Sequence, residues 1–218
     1  MLPGTMKDIK MISRSYLFLF TISILLLSSC QEECRLPFLG THEVVADDTI
    51  YYTIPKFYGW KDQDGQPLDF KKVEGKIFVA EFFFSQCKSI CPIMTSQMSR
   101  IQDEIKKNHW ESKVGLLSHT VDPIHDQPSV LKAYAKTHGA DFSIWTFANA
   151  DTAVYEVAQK GYLLSAFPSD NADGGFFHTD QLTLVDSFFR IRGYYDGTST
   201  KDVDHLIKDL NCLMQERY

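Results

Sequence analysis

KIFVAEFFFSQCKSICPIM, residues Lys76 to Met94, is the stretch on which the fold turns. Its first half, Ile77 to Phe84, is a continuous apolar run rich in aromatic and β-branched residues. That is the pattern of a strand buried on both faces at the centre of a sheet. Ser85-Gln86 makes a short polar turn, and after Cys87, Cys91 and Pro92 a helical pattern begins. Proline biases the preceding residue away from helical dihedrals and suits the first helical turn, so Cys91 is expected at the N-cap and Cys87 in the loop above the strand. Backbone N–H groups at a helix N-terminus favour negative charge and lower thiol pKa. Two thiolates so placed can close a disulfide or bind a soft metal such as copper(I) or zinc. The plainer reading, two structural cysteines in a turn, leaves their position between a core strand and a helix unexplained.

Outward from this stretch, the beginning of the chain reads as an address. Lys7, Lys10 and Arg14 precede an apolar run from about Tyr16 to Leu27, which is followed by Leu27-Ser28-Ser29-Cys30. A basic start, a short apolar middle and small residues form a secretory signal, and the run is short for a membrane span. The ending resembles a bacterial lipobox, with Cys30 as the lipid-bearing first residue of an extracytoplasmic, membrane-anchored protein; the alternative is an ordinary signal with an incidental cysteine. The expected organisation is a signal over 1–29, a lipid-anchored arm over 30–48 and one domain over 49–218. The whole chain has a net charge of −6, and removing the three basic residues and one acid of 1–29 leaves −8. That argues against nucleic acid as a partner and favours cationic partner surfaces.

Further elements follow in order. Ile50–Ile54 and Phe57–Trp60 lead to an Asp64-Gly65 turn and a return strand, Pro67–Phe70. Ile93, Met94, Gln97, Met98, Ile101 and Ile105 trace a helical stripe to about Lys107, which makes the two methionines core residues rather than metal ligands. Val114–Thr120 is a second apolar strand, 129–137 a helix and 144–148 a short strand. Asp151 is expected to cap a helix reaching about Lys160. Residues 162–177 form an irregular insertion ending in Gly174-Gly175. A hairpin of 181–185 and 189–195 and a helix from Thr200 to about Met214 close the chain. This order is that of an α/β, thioredoxin-like fold: a central mixed sheet flanked by helices, with an N-terminal hairpin and an insertion before the last hairpin.

Glu81 lies inside the core strand, six residues before Cys87. Thioredoxins, which the arrangement resembles, carry a buried acid at that spacing. A buried carboxylate is costly unless neutral or paired, so Glu81 is functional, hydrogen-bonded, or a strand-end acid reaching water. A thioredoxin-type reductase uses two intervening residues between its cysteines and a cis-proline facing them; here three residues intervene, and His178-Thr179-Asp180 precedes the strand at Gln181. The insertion thus returns a histidine to the place facing the cysteine loop. Two thiolates and an imidazole can hold copper as copper(I) and as copper(II).

With these residues the chain resembles the Sco/SenC family of extracytoplasmic copper chaperones for cytochrome oxidase assembly. The resemblance spans about Thr53 to Asp209. It rests on Cys87-Lys88-Ser89-Ile90-Cys91-Pro92, on Val121-Asp122-Pro123 with Asp126, and on His178 followed by Leu184-Val185-Asp186. It implies Cys87, Cys91 and His178 as copper ligands. It also implies a copper-accepting subunit of a terminal oxidase and a copper donor protein as partners. The family usually shows Asp-Pro-Glu-Arg-Asp in the second motif, where this chain has Ile124 and His125. His119, Asp122 and Glu81 are candidates for a supporting shell or a fourth ligand. The alternative function is a thiol–disulfide oxidoreductase, with Cys87 and Cys91 as the catalytic pair, acting on an oxidase subunit or another extracytoplasmic protein.

Two cysteines remain. On the last helix Val203, Leu206, Ile207, Leu210, Leu213 and Met214 form one stripe, and Cys212 points away from it. Cys34 is the other unassigned cysteine. A structural disulfide between Cys34 and Cys212 and a pair of free thiols are the two outcomes.

Overall fold

A computed structural model describes residues 34–46, 48–56, 59–68 and 73–216. The signal segment and Cys30 lie outside the described residues, as do Phe57 and Phe70. The described residues form a compact unit beginning at Cys34. No helix among them is long and apolar enough to cross a membrane.

The strands, in chain order, are β1 (His42–Val45), β2 (Asp48–Tyr51), β3 (Lys61–Asp62), β4 (Ile77–Phe83), β5 (Val114–Thr120), β6 (Trp145–Asn149), β7 (Ala166–Pro168), β8 (Phe176–His178), β9 (Gln181–Val185) and β10 (Ile191–Asp196). The helices are α1 (Cys91–Lys107), α2 (Pro128–Thr137), α3 (Ala153–Glu156) and α4 (Thr200–Gln215). Six strands make the central sheet, in the order β10-β9-β4-β5-β6-β3. β4 pairs parallel with β5 and antiparallel with β9, so it sits near the middle, and all seven of its residues are buried. This is why its sequence is apolar throughout rather than alternating. The register sets Glu81 against Ser118 and Phe82 against His119, placing those two pairs on opposite faces.

On the Glu81 face lies α1. Met94, Met98, Ile101 and Ile105 are fully buried there, and both methionines are core residues, as their spacing predicts. Burying side chains of this size contributes about 1.5–3 kcal/mol each. α4 starts with Ser199, whose hydroxyl accepts from the Asp202 N–H. It then runs away from the cysteine end of the sheet. Cys212 is off its apolar stripe yet only 4 % exposed, because it is disulfide-bonded to Cys34 and the N-terminal segment covers that side.

Three elements differ from the sequence reading. The segment read as an arm contains β1, which pairs across a turn at Ala46, φ +56°, with β2, a strand starting at Asp48 and ending at Tyr51 within the expected Ile50–Ile54 element. The four-residue strands of this hairpin are almost wholly exposed, so no apolar pattern marks β1. The Asp64-Gly65 turn is present, closed by Asp62 N–H to Gln66 C=O and Gly65 N–H to Asp62 C=O at 2.9 Å each. Its return strand amounts to a single bridge between Lys61 and Pro67 among the described residues. Finally, Asp151 does not cap α3. It sits at φ +52°, and α3 passes after one turn into a π-helix over Val157–Gly161. The Tyr52 hydroxyl donates to the carbonyls of Lys160 and Gly161, and that of Tyr194 to Tyr162 C=O. These bonds satisfy groups that the wider turn would leave unpaired.

Candidate metal centre

β4 delivers the chain to the Ser85-Gln86 turn, and the Cys87 N–H closes it on Phe84 C=O at 3.2 Å. α1 begins one residue earlier than expected. Ile90 is the N-cap and Cys91 the first helical residue, because Ile90 C=O already accepts from the Ile93 and Met94 N–H groups at 3.0 Å. Pro92 still falls within the first turn, where its missing N–H costs nothing. The Cys91 N–H points back at Cys87 Sγ, 3.4 Å away.

The third residue arrives from the insertion, which is not irregular throughout. β7 and β8 form a small hairpin with Ala166 opposite His178. Its placement depends on Gly174, at φ +70°. A Cβ there would lie 2.5 Å from the Phe84 ring, so the backbone can rest on that ring only as glycine. Phe176 adds a ring contact to Phe84 at 5.6 Å. His178 Nδ1–H donates to Thr179 C=O at 2.9 Å. In the neutral ring this fixes the tautomer and leaves Nε2 as the free lone pair. Nε2 lies 3.2 Å from Cys91 Sγ. The ligand atoms of Cys87, Cys91 and His178 all lie within 4.8 Å of one another, and all three residues are buried.

The two thiols are unlike. Burial acts to raise Cys87, but hydrogen bonds with His178 and the Cys91 thiol, from the Cys91 backbone N–H and with Ser89 outweigh it, and the thiol is lowered to about 6. For Cys91 burial wins. Its thiol is pushed up, further by its hydrogen bond to Cys87 and by the charges of Cys87 and Glu81. The helix N-terminus therefore does not make both residues thiolates, as its dipole alone would predict. Cys87 is the thiolate and Cys91 the proton-bearing partner.

Glu81 is fully buried on the same face. One oxygen accepts from the Ser118 hydroxyl at 2.7 Å, and that hydroxyl accepts from Trp145 Nε1 at 2.8 Å. The other oxygen has no hydrogen-bond partner among the described residues. Burial pushes this carboxyl up to about 8 from 4.5. A carboxyl raised on folding stabilises the protonated native state, so stability is lost as pH rises from about 4.5 through about 8. Within that window the slope from Glu81 is about 1.4 kcal/mol per pH unit. Glu81→Gln is expected to remove it, making the variant more stable than the parent at pH 8 but not at pH 4. Urea unfolding at the two pH values checks this; equal pH slopes in both proteins would refute it.

The remaining candidates separate. His119 projects to the opposite face from Glu81. It is fully buried, with Nε2 on the Tyr162 hydroxyl at 2.9 Å, and burial lowers it to about 3. It is packed by Trp60, Phe82 and Tyr162 and does not join the Cys87–Cys91–His178 group. Asp122 lies in the loop after β5 and accepts from the His125 N–H at 3.2 Å, forming a separate group with His125 and Asp126. Asp126 itself, which the sequence reading used only as part of a motif, is fully buried against the turn before Cys87.

Fold and centre together define a class: a thioredoxin-like domain in which two cysteines spaced by three residues meet a histidine returned by an insertion. Residues 52–215 match the SCO1/SenC family model, and the chain belongs to that family. It is 27 % identical over 165 residues to the SCO1 protein homolog of Bacillus subtilis (strain 168), covering 75 % of this chain and 83 % of that protein. Its structure is similar to that of a SCO1/SenC family lipoprotein from Bacillus anthracis str. Ames, with a TM-score of 0.68 and 26 % identity over 75 % of this chain and 96 % of that one. It is also similar to BsSco, described as a member of the Sco family of cytochrome c oxidase assembly proteins that carries a disulfide switch. There the TM-score is 0.66 and the identity 26 %, over 76 % of this chain and 95 % of that one.

Proposed function

We propose that this protein is a membrane-anchored, extracytoplasmic copper metallochaperone that serves assembly of the dinuclear copper centre of a cytochrome c oxidase. The observation that carries the proposal is the convergence of Cys87 Sγ, Cys91 Sγ and His178 Nε2 within 4.8 Å. Thiolate sulfur suits copper(I), and the added imidazole nitrogen suits copper(II). Cys87 is already ionised near neutral pH, while Cys91 releases its proton on binding, so loading is proton-coupled. The His178 tautomer, held by Thr179 C=O, presents a bare nitrogen. The partners on this reading are a copper donor protein and the copper-accepting oxidase subunit, and Cys30 carries the lipid that holds the domain at the membrane.

A second reading is favoured by the inequality of the thiols. A low-pKa Cys87 beside a protonated Cys91 also suits a nucleophile and a resolving thiol in disulfide exchange. Native mass spectrometry of the protein extracted from membranes tests the first reading. It should show an N-terminus at Cys30 bearing acyl chains, and one copper gained per reduced chain with loss of two titratable thiols. An unmodified N-terminus elsewhere would remove the lipid anchor. Failure to retain copper would leave the exchange reading in first place.

A further inference from the structure

We propose that Asp126 is the positioning residue for Cys87, acting through Ser85. The inference rests on the reading of Cys87 as a metal ligand, but its geometry does not involve the metal. Asp126 is fully buried, and its carboxylate accepts four hydrogen bonds. Oδ2 takes the Ser85 N–H at 2.9 Å and the Thr120 hydroxyl at 2.5 Å. Oδ1 takes the Ser85 hydroxyl and His125 Nδ1–H, the latter at 3.0 Å. The Asp126 backbone is fixed as well: its N–H donates to Asp122 C=O at 2.9 Å, and its C=O accepts from Asn149 Nδ2 at 3.0 Å. The residue is thus a post set between the end of β5 and the end of β6, and the loop it holds is that of Cys87.

Ser85 is bound twice, by its N–H and by its hydroxyl, two residues before the thiolate. Gln86, the residue between them, is held by His125 through Nε2 at 2.9 Å. On its far side the Cys87 sulfur meets the Cys91 N–H, the Ser89 hydroxyl, the Cys91 thiol and His178, and the Cys87 N–H is tied to Phe84 C=O. The Ser85 clamp is the tie that joins the Cys87 loop to the ends of β5 and β6, and it sets where that loop sits relative to them. Outer partners that orient a ligand are worth about 10–100-fold in metal affinity.

The test compares Ser85→Ala, Asp126→Asn and Thr120→Val in the full chain. Thr120→Val also removes a buried hydrogen bond from Asp126, together with the 3.1 Å bond from the Asp122 N–H to Thr120 Oγ1, but it does so on the β5 side and leaves the Ser85 clamp in place. Three quantities are measured: copper(II) affinity with its thiolate charge-transfer band, the metal-free thiol–disulfide equilibrium of Cys87 and Cys91 against glutathione, and the melting temperature. Positioning predicts that Ser85→Ala and Asp126→Asn weaken copper(II) by about tenfold, move the band and displace the dithiol equilibrium. Thr120→Val is expected to lower the melting temperature while leaving the other two within about twofold. The proposal is overturned if Ser85→Ala changes neither site quantity, or if Thr120→Val changes both equally. Should Asp126→Asn fail to fold, the Ser85–Thr120 comparison decides. A wild-type chain that binds no copper would sink the metal reading alone, since the glutathione equilibrium still tests the clamp.

Discussion

His178→Ala is expected to abolish tight copper(II) binding and to leave most copper(I) binding in place. Copper(I) is soft and tolerates low coordination, so the thiolates of Cys87 and Cys91 suffice for it. Copper(II) prefers more ligands, nitrogen among them. Without the imidazole it should instead be reduced: two copper(II) ions each take one electron from the Cys87 thiolate and Cys91 thiol pair, giving two copper(I) ions, one Cys87–Cys91 disulfide and the one proton that Cys91 carried. The expected loss of copper(II) affinity exceeds about a hundredfold, because even outer partners of a ligand are worth roughly 10–100-fold. The variant should remain folded. His178 is held by hydrogen bonds to Thr179 C=O and to Cys91 Sγ and by a ring contact to Phe84, and losing such bonds costs about 1 kcal/mol each. Absorption from thiolate-to-copper(II) charge transfer, measured at equal protein concentration, reads the outcome. An unchanged band with unchanged affinity would remove His178 from the centre. Under the exchange reading the same variant would keep its reductase activity, since that chemistry needs only the two thiols.

Replacing both Cys34 and Cys212 by serine is expected to lower stability by about 2–5 kcal/mol, or roughly 5–15 °C in melting temperature, without changing copper affinity. The disulfide spans a sequence separation of 178, so it constrains nearly the whole unfolded domain. Part of its work is shared. Buried Arg192 donates to Leu36 C=O at 2.7 Å, Pro37 C=O at 3.0 Å, both oxygens of Glu216 at 2.9 Å and Asp186 Oδ2 at 3.2 Å. Glu216 in turn accepts from the Leu36 N–H at 2.9 Å. The N-terminal segment thus stays docked on guanidinium and carboxylate after the disulfide is gone, which keeps the expected loss below that of a free loop of this length. Copper affinity is spared because the strap lies at the end of α4 and the start of β10, whereas Cys87 and His178 lie at the other end of the sheet, where β4 ends and β9 begins. Thermal unfolding with and without reductant measures the loss; finding Cys34 and Cys212 both open to alkylation in the native parent would contradict it.

The parts of this molecule legible in the sequence were those written in local chemistry. β4 was readable because a strand covered on both faces must be apolar throughout. α1 and α4 were readable because their stripes keep the helical period over four turns. Cys87, Cys91 and His178 could be assembled because the strand–loop–helix order fixes one side of the centre and the insertion returns to the other. The β7–β8 hairpin was not legible, since three-residue strands carry no period, and β1 was not, since exposed strands need no apolar alternation. The Asp126 clamp crosses 41 positions through polar contacts, which leave no spacing signature. The raised Cys91 thiol depends on depth below the surface, which a dipole argument from sequence omits. Arg192 reads as an ordinary strand arginine until its five acceptors are seen from three other segments.

The central claim is that one copper ion is held jointly by Cys87, Cys91 and His178. X-ray absorption at the copper edge, on the full chain loaded with one equivalent, addresses it most directly. The account predicts two sulfur scatterers per copper in both oxidation states, with imidazole scattering in the copper(II) form that disappears in His178→Ala. Copper surrounded by nitrogen and oxygen alone, or by a single sulfur, would contradict it.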